Sequence, residues 1–436
     1  MTSQKRVTKD AVTNSPEAFQ STRRGIYAVV VLCLALVLSF IDRFTINLVV
    51  DPIRAELRLS DVAISFLQGA GFALFFGLAV FPAGRLADRF NRPKLIATGV
   101  AIWSLATIAC GLSPDFWSFL ISRLFVGLGE ATLIPAASSF IVDSFSPRHR
   151  GSALGVFSLG STSGAGVAMI LGGAVLAYLE ATRSSPILHL EALSPWRKLM
   201  ISMGVPGFLL IPLLLLIRDP YRGRRFRNFN RPALFRHLIA NSGFVLRLCM
   251  AKGVMSVADY GIVAWLPTLL LRDYSATYAE AGAIVGLAVA LPGMVGAVVG
   301  GSLSDWIARR YGLAARPILI LACYAIATIG ALAFFFASTS MQLGLAFSIW
   351  GLGSVSGYVV GQVAMQENVP SEIRATTVAL SISVTALVGI GCGPTLIPIL
   401  ASNADGSIQS AMTVVAVAAA VTASIILGSA VRTARR

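Results

Sequence analysis

The sequence predicts an all-α membrane protein: twelve transmembrane helices arranged as two pseudo-symmetric six-helix bundles. Three observations predict it. Apolar runs long enough to cross a bilayer recur along nearly the whole chain, Lys and Arg gather in alternate connections between those runs, and short motifs return at about half-chain spacing.

Of the 436 residues, 56% are hydrophobic and only 13% charged, whereas about a quarter of a soluble domain is charged. A helix needs about 20 mostly apolar residues to cross the hydrocarbon layer. Segments of that kind are expected at 26–50, 62–83, 95–113, 116–141, 152–179, 197–217, 243–271, 279–303, 317–337, 342–366, 375–400 and 409–430. Glycine and proline inside them are tolerable because neighbouring helices satisfy the freed backbone groups. Small residues also let helices approach closely. Gly160, Gly164 and Ala168 form such a stripe in the fifth span, as do Gly353, Gly357 and Gly361 in the tenth. The expected organisation is a polar tail over 1–24, a bundle over 25–217, a basic linker over 218–240, a second bundle over 241–430 and a short tail over 431–436. The first tail lacks the apolar core of a signal peptide and reads as a cytoplasmic segment.

The net charge of +15 does not point to nucleic acid, because the cations sit in short segments between apolar runs, where membrane proteins keep their anchors. Counted by side, 25 basic residues fall with the termini and 4 opposite them: Arg54, Arg58, Arg183 and Arg272. The positive-inside rule then places both termini in the cytoplasm, as a multi-pass protein of the inner (plasma) membrane. The arginines of 218–240 read as a topology anchor or as a contact for anionic membrane lipids. Cys33, Cys110, Cys249, Cys323 and Cys392 all lie in apolar runs without metal-ligand spacing, and His149, His189 and His237 fall in connections. No metal or cofactor is expected, and the architecture needs no partner subunit, so a monomer is expected.

The motifs repeat in order. Gly84-Arg85-Leu86-Ala87-Asp88-Arg89 follows the second span, and Gly301-Ser302-Leu303-Ser304-Asp305-Trp306 follows the eighth, 217 residues later. Gly127 and Gly129 in the fourth span match Gly351 and Gly353 in the tenth, at an offset of 224. Two six-helix halves around a midplane site are a known architecture of secondary transporters.

These motifs also carry a family resemblance. Gly84 to Arg92 resembles the signature loop of the major facilitator superfamily, with Asn91 in place of the usual second glycine, and Arg123-x-x-x-Gly127-x-Gly129 resembles its fourth-helix motif. Within it, Phe40-Ile41-Asp42-Arg43-Phe44, Gly127-Leu128-Gly129-Glu130-Ala131 and Arg150 to Phe157 are similar to the Spinster family. The resemblance implies the major facilitator fold and an amphiphilic cargo such as a lysolipid. It also implies that Gly84, Asp88, Arg89 and Arg92 form a conformational latch at a helix junction.

Ionisable residues inside spans cost several kcal/mol and mark function by default. Asp42 lies about 13 Å and Arg123 about 12 Å from the outer ends of their spans at 1.5 Å per residue, so a pair between them is expected. Glu130 lies seven residues beyond Arg123, on the same helix face. Desolvation and a nearby arginine act on such a carboxyl in opposite senses, which suits a proton-responsive group. Arg43 is about 100° round the helix from Asp42 and is expected on a different face. Asp42, Arg123 and Glu130 are therefore the candidates for proton coupling, against a purely structural role fastening helices. Asp259, 217 residues after Asp42, either joins the cavity or pairs with Lys252. Tyr260, Tyr358 and Gln362 either line the cavity or bond between helices. With Arg43, Arg123, Glu130 and Asp259 they make up the expected substrate-binding set.

No phosphate-binding loop of an ATP motor is present, and no histidine lies in any span, which argues against an intramembrane enzyme. The expected function is a proton-coupled secondary transporter for an amphiphilic, lipid-like or anionic substrate. The alternative is an organic-anion or drug permease of the same fold.

Overall fold

A computed structural model of the chain describes residues 22–182, 193–219, 242–312, 315–369, 374–403 and 407–434. The expected tail over 1–24 lies almost wholly, and the linker over 218–240 mostly, outside the described residues. Among the described residues, twelve helices are long and apolar enough to span a membrane: α1 (Arg23–Leu48), α2 (Asp61–Ala87), α3 (Arg92–Leu112), α4 (Phe116–Ser144), α5 (His149–Ala181), α6 (Pro195–Leu215), α7 (Gly243–Asp273), α8 (Tyr278–Tyr311), α9 (Arg316–Phe336), α10 (Ser340–Glu367), α11 (Thr377–Asn403) and α12 (Ile408–Ser429). The largest difference from expectation is α8, which continues well past the apolar run through Trp306 and Arg309. A helix does not stop at the membrane surface when its next residues still favour helix, and here only Gly312, at a φ of 81°, ends it. A short helix, Val50–Leu57, joins α1 to α2 and ends on Arg58 in the left-handed conformation.

The repeat is visible in the packing. Arg92 at the start of α3 donates to Asp143 at the end of α4, with Nη2 to Oδ2 at 2.7 Å. At the same offset of 224, Arg316 at the start of α9 pairs with Glu367 at the end of α10. The motif glycines act alike. A Cβ on Gly129 would come within 2.7 Å of the Gly99 carbonyl, and one on Gly353 within 2.5 Å of the Cys323 carbonyl. Gly99 and Cys323 are themselves 224 apart. The same backbone approach, α3 on α4 and α9 on α10, is built twice.

The two halves meet along two seams. In the first, α5 packs on α8 from Gly173 against Tyr278 and Gly282, through Gly166 against Gly286 and Ala290, to Thr162 against Gly293. In the second, Gly69 of α2 packs on Ile390 and Pro394, and Gly77 on Leu387 of α11. Beyond these points, towards the side that carries the termini, Gly151, Gly155 and Gly301 face open space. The molecule is thus closed on the side opposite the termini and parted on the terminus side.

An ion-pair network holds the closed side. Arg272, at the end of α7, donates from Nη2 to Asp51 Oδ1 at 2.6 Å and from Nη1 to Asp61 Oδ2 at 2.8 Å. Below it, Gln68 Nε2 donates to the Ala264 carbonyl at 3.0 Å and Asn47 Nδ2 to the Val263 carbonyl at 3.4 Å. All of these contacts cross from one half to the other. Hydrogen bonds to charged groups contribute about 1.5–3 kcal/mol, and about 1.4 kcal/mol is a tenfold change in a ratio. Arg272→Ala is therefore expected to shift the balance towards opening on this side by about tenfold or more. Spin labels at Ala55→Cys and Ala279→Cys, without the native cysteines, should report a longer and broader distance distribution than in the Arg272 protein.

Candidate functional site

Two departures from α-helical geometry shape the centre of the N-terminal half. In α1 the α-helix runs to Phe44 and then tightens into a 3₁₀ turn over Thr45–Leu48. In α2 a π-helical turn occupies Phe66–Ala70. Such turns leave backbone carbonyls without their usual intrahelical partners, and π turns concentrate at functional sites. Arg123 of α4 takes up these carbonyls. Its Nε donates to Leu67 O at 3.0 Å, Nη1 to Asp42 O at 3.4 Å and Nη2 to Arg43 O at 3.4 Å.

The ion pair of the site is formed by Arg43 and Glu130, with Arg43 Nη2 at 2.5 Å and Nε at 3.2 Å from Glu130 Oε2. The guanidinium is also stacked among Phe40, Phe72 and Phe76, with ring centroids 4.4 to 4.9 Å from Cζ. Asp42, Arg43, Arg123 and Glu130 are 3%, 7%, 2% and 1% exposed. A charge this deep is tolerated only when it is compensated. Two carboxylates and two guanidiniums give a formally neutral quartet. Asp42 and Glu130 are otherwise buried, and the indole of Trp103 lies against the Asp42 carboxylate.

This arrangement corrects one expectation and supplies a partner that the sequence did not name. Asp42 and Arg123 do share a depth, but the arginine grips the Asp42 carbonyl and not its carboxylate, because the non-α turns offer unsatisfied backbone acceptors. Arg43, placed by the helical wheel on a different face, is the true partner of Glu130. A long, flexible side chain on the neighbouring face of α1 can reach across to α4.

In the C-terminal half, Asp259 accepts from Trp350 Nε1 at 2.8 Å and from Ser354 Oγ at 2.9 Å. Ser354 is the repeat counterpart of Glu130, and Tyr260 that of Arg43. The first-helix acid thus keeps its fourth-helix neighbourhood but loses the countercharge. The alternative of an Asp259–Lys252 pair is not formed. Lys252 instead donates to Gln362 Oε1 and, at 3.0 Å, to Ser381 Oγ. Its ammonium lies 4.0 Å from the ring centroid of Tyr358.

The halves are joined at this level by Tyr260, which stacks on Phe44 at 6.3 Å and lies against Arg43. A narrow cleft there is lined by Arg43, Phe44, Asn47, Gln68, Tyr260, Ala264, Ile390 and Pro394. A larger groove, about 800 Å³, runs between α9 and α12, but its lining carries no charged side chain and its walls include the exposed Ile329 and Ile425. It belongs to the outer surface and not to the site.

The four residues expected to form a latch lie away from this centre. Arg92 is buried and held by Asp143, and its backbone N–H donates to Asp219 at 3.0 Å. Gly84 and Arg89 lie near the terminus-side end of α2, and the Asp88 side chain is outside what the structure describes. Four residues escaped the sequence reading: Asn47, Gln68 and Arg272, which bond across the seam, and Trp350, which holds Asp259. Uncharged polar side chains within apolar runs were the available signal for the first two.

Comparison with known proteins agrees with this architecture. The model of the Major Facilitator Superfamily matches residues 32–394. Protein spinster homolog 1 of Xenopus laevis is 28% identical over 406 residues, covering 88% of this chain and 74% of that one. An MFS-type efflux pump of Mycolicibacterium smegmatis is 28% identical over 301 residues, covering 66% of this chain and 64% of the pump. Among solved structures, a bacterial homolog of the human lysosomal transporter Spinster, in an inward-facing and unoccupied conformation, is similar with a TM-score of 0.76 and 25% identity. The match covers 95% of this chain and 96% of that one.

Removing one partner of a buried ion pair costs about 3–5 kcal/mol, because the other charge is left uncompensated. Arg43→Ala should therefore lower the thermal unfolding midpoint in detergent markedly. Arg43→Ala combined with Glu130→Gln should recover most of the loss, a coupling that a double-mutant cycle measures.

Proposed function

Since the chain belongs to the Major Facilitator Superfamily and its similarities within it are of the Spinster type, we propose that it is a proton-coupled secondary transporter of an amphiphilic or anionic organic molecule. The observation that carries this reading is the buried neutral quartet, in which Glu130 is tied to Arg43 and Arg43 touches Tyr260 of the other half. A proton on Glu130 cancels its charge and releases its hold on the guanidinium. Arg43 then exchanges its buried partner for another, at the point where the halves meet. A proton is thereby converted into a change at the seam, which is what alternating access requires.

The cations of the connections support cytoplasmic termini and a place in the plasma membrane. On that orientation the parted terminus side is the cytoplasmic side, and the conformation is inward-facing. The protein acts as a monomer in this reading. Gly84, Asp88, Arg89 and Arg92 act as a latch between states, which fits Arg92 tied to Asp143 at the terminus side. In the central set, Arg43, Glu130, Asp259, Tyr260, Tyr358 and Gln362 line the substrate path, and Arg123 positions α1 and α2 through their carbonyls. The similarity to a mycobacterial efflux pump supports a second reading, a drug or organic-anion permease without lipid cargo.

Proteoliposomes with an entrapped pH dye test the proposal. Lysophospholipid added outside should move the internal pH in vesicles with the native protein, and Glu130→Gln and Asp42→Asn should each reduce that response by at least about tenfold, as for loss of a group required at every turnover. Native-like proton movement in both variants would refute the coupling. A response to short carboxylates and none to lysophospholipid would favour the second reading.

A further inference from the structure

The cations of the N-terminal half are already engaged. Arg43 is bound by Glu130 and Arg123 by three carbonyls, so each already has buried partners of its own. Lys252 is different. It is 2% exposed, and its contacts are neutral: Gln362, Ser381 and the ring of Tyr358. Asp259, the next acid along α7, lies seven residues away, about 10 Å along the axis, and its oxygens are taken by Trp350 and Ser354. A buried ammonium without a carboxylate is costly. A strut that only joined α7, α10 and α11 would be better made from a neutral side chain.

We propose that Lys252, with the amide of Gln362 and the hydroxyl of Ser381, is the docking point for the phosphate or carboxylate head of the transported molecule. The proposal rests on the transporter reading above and gives its substrate a charge and a place. An ammonium has three donors; Gln362 and Ser381 take two, and the third remains for an anion. Helix side chains lean towards the helix N-terminus, and the N-terminus of α7 lies on the parted side. The lysine stem therefore leans towards that end of α7. Tyr358, 37% exposed, flanks it on α10. Tyr260, on the same helix as Lys252, touches Arg43. An anion held at Lys252 would thus sit on the helix that also carries the contact to the Arg43–Glu130 pair. The substrate head and the proton would occupy opposite halves.

The test uses the full chain in a neutral detergent, with thermal stabilisation read against dodecyl phosphate, dodecyltrimethylammonium and inorganic phosphate. The wild type should be stabilised by dodecyl phosphate and not by dodecyltrimethylammonium. Lys252→Met should weaken the apparent affinity for dodecyl phosphate about tenfold or more, the effect of losing one charge-assisted contact, and Lys252→Arg should retain most of it. Should Lys252→Met not fold, Gln362→Leu supplies the same comparison without removing the charge. Inorganic phosphate acting as well as dodecyl phosphate, and failing in Lys252→Met, supports the site with a free anion as its ligand. An unchanged dodecyl phosphate response in both Lys252→Met and Gln362→Leu overturns the site. If proton movement in proteoliposomes is normal while the protein does not prefer the anionic chain, the Lys252 site falls and the coupled-transport reading stands. Loss of the anion response in Lys252→Met with no proton movement in the wild type has the opposite meaning.

Discussion

The structure depends on keeping charge neutral in a place that water does not reach. Two carboxylates and two guanidiniums occupy the middle of the N-terminal half, each at most 7% exposed. Such a cluster is stable only as a whole, since removing or neutralising one member strands another. That same constraint makes it responsive. A proton added to one carboxyl changes the partners available to an arginine that touches the opposite half. The 3₁₀ turn of α1 and the π turn of α2 are part of the arrangement. They free the carbonyls that anchor Arg123, and so fix the level at which Asp42, Arg43 and Glu130 meet.

The C-terminal half shows what happens to the same scaffold without the countercharge. Asp259 stands where Asp42 does, and Ser354 where Glu130 does, yet the acid is held by neutral donors. Lys252 is likewise held by neutral acceptors. The two bundles share backbone approaches such as Gly129 on Gly99 and Gly353 on Cys323, so the scaffold is common to both and the charges are not. Charge is closed on itself in one half and met only by neutral partners in the other.

The spans, the repeat and the superfamily were legible in the sequence because they rest on long-range regularities: apolar length, cation placement and motif order. The central residues were legible too, since a charge in an apolar run is conspicuous. Their pairing was not. A helical wheel placed Arg43 off the Asp42 face and matched Asp42 to Arg123 by depth, assuming straight α-helices. The two non-α turns, which give Arg123 its carbonyl partners, have no clear sequence signature. Arg272 read as a connection residue, because its importance comes from Asp51 and Asp61 in the other half, a proximity that exists only after the halves have met.

The central claim is that Glu130 exchanges its bond to Arg43 for a proton as the transporter works. Infrared difference spectroscopy of the reconstituted protein, between mildly alkaline and mildly acidic buffer, observes that event directly. The account predicts a protonated-carboxyl band that appears on acidification, disappears in Glu130→Gln, and shifts in Arg43→Lys, where the partner is altered. A spectrum identical in the native protein and Glu130→Gln, recorded under conditions where transport is active, would contradict it.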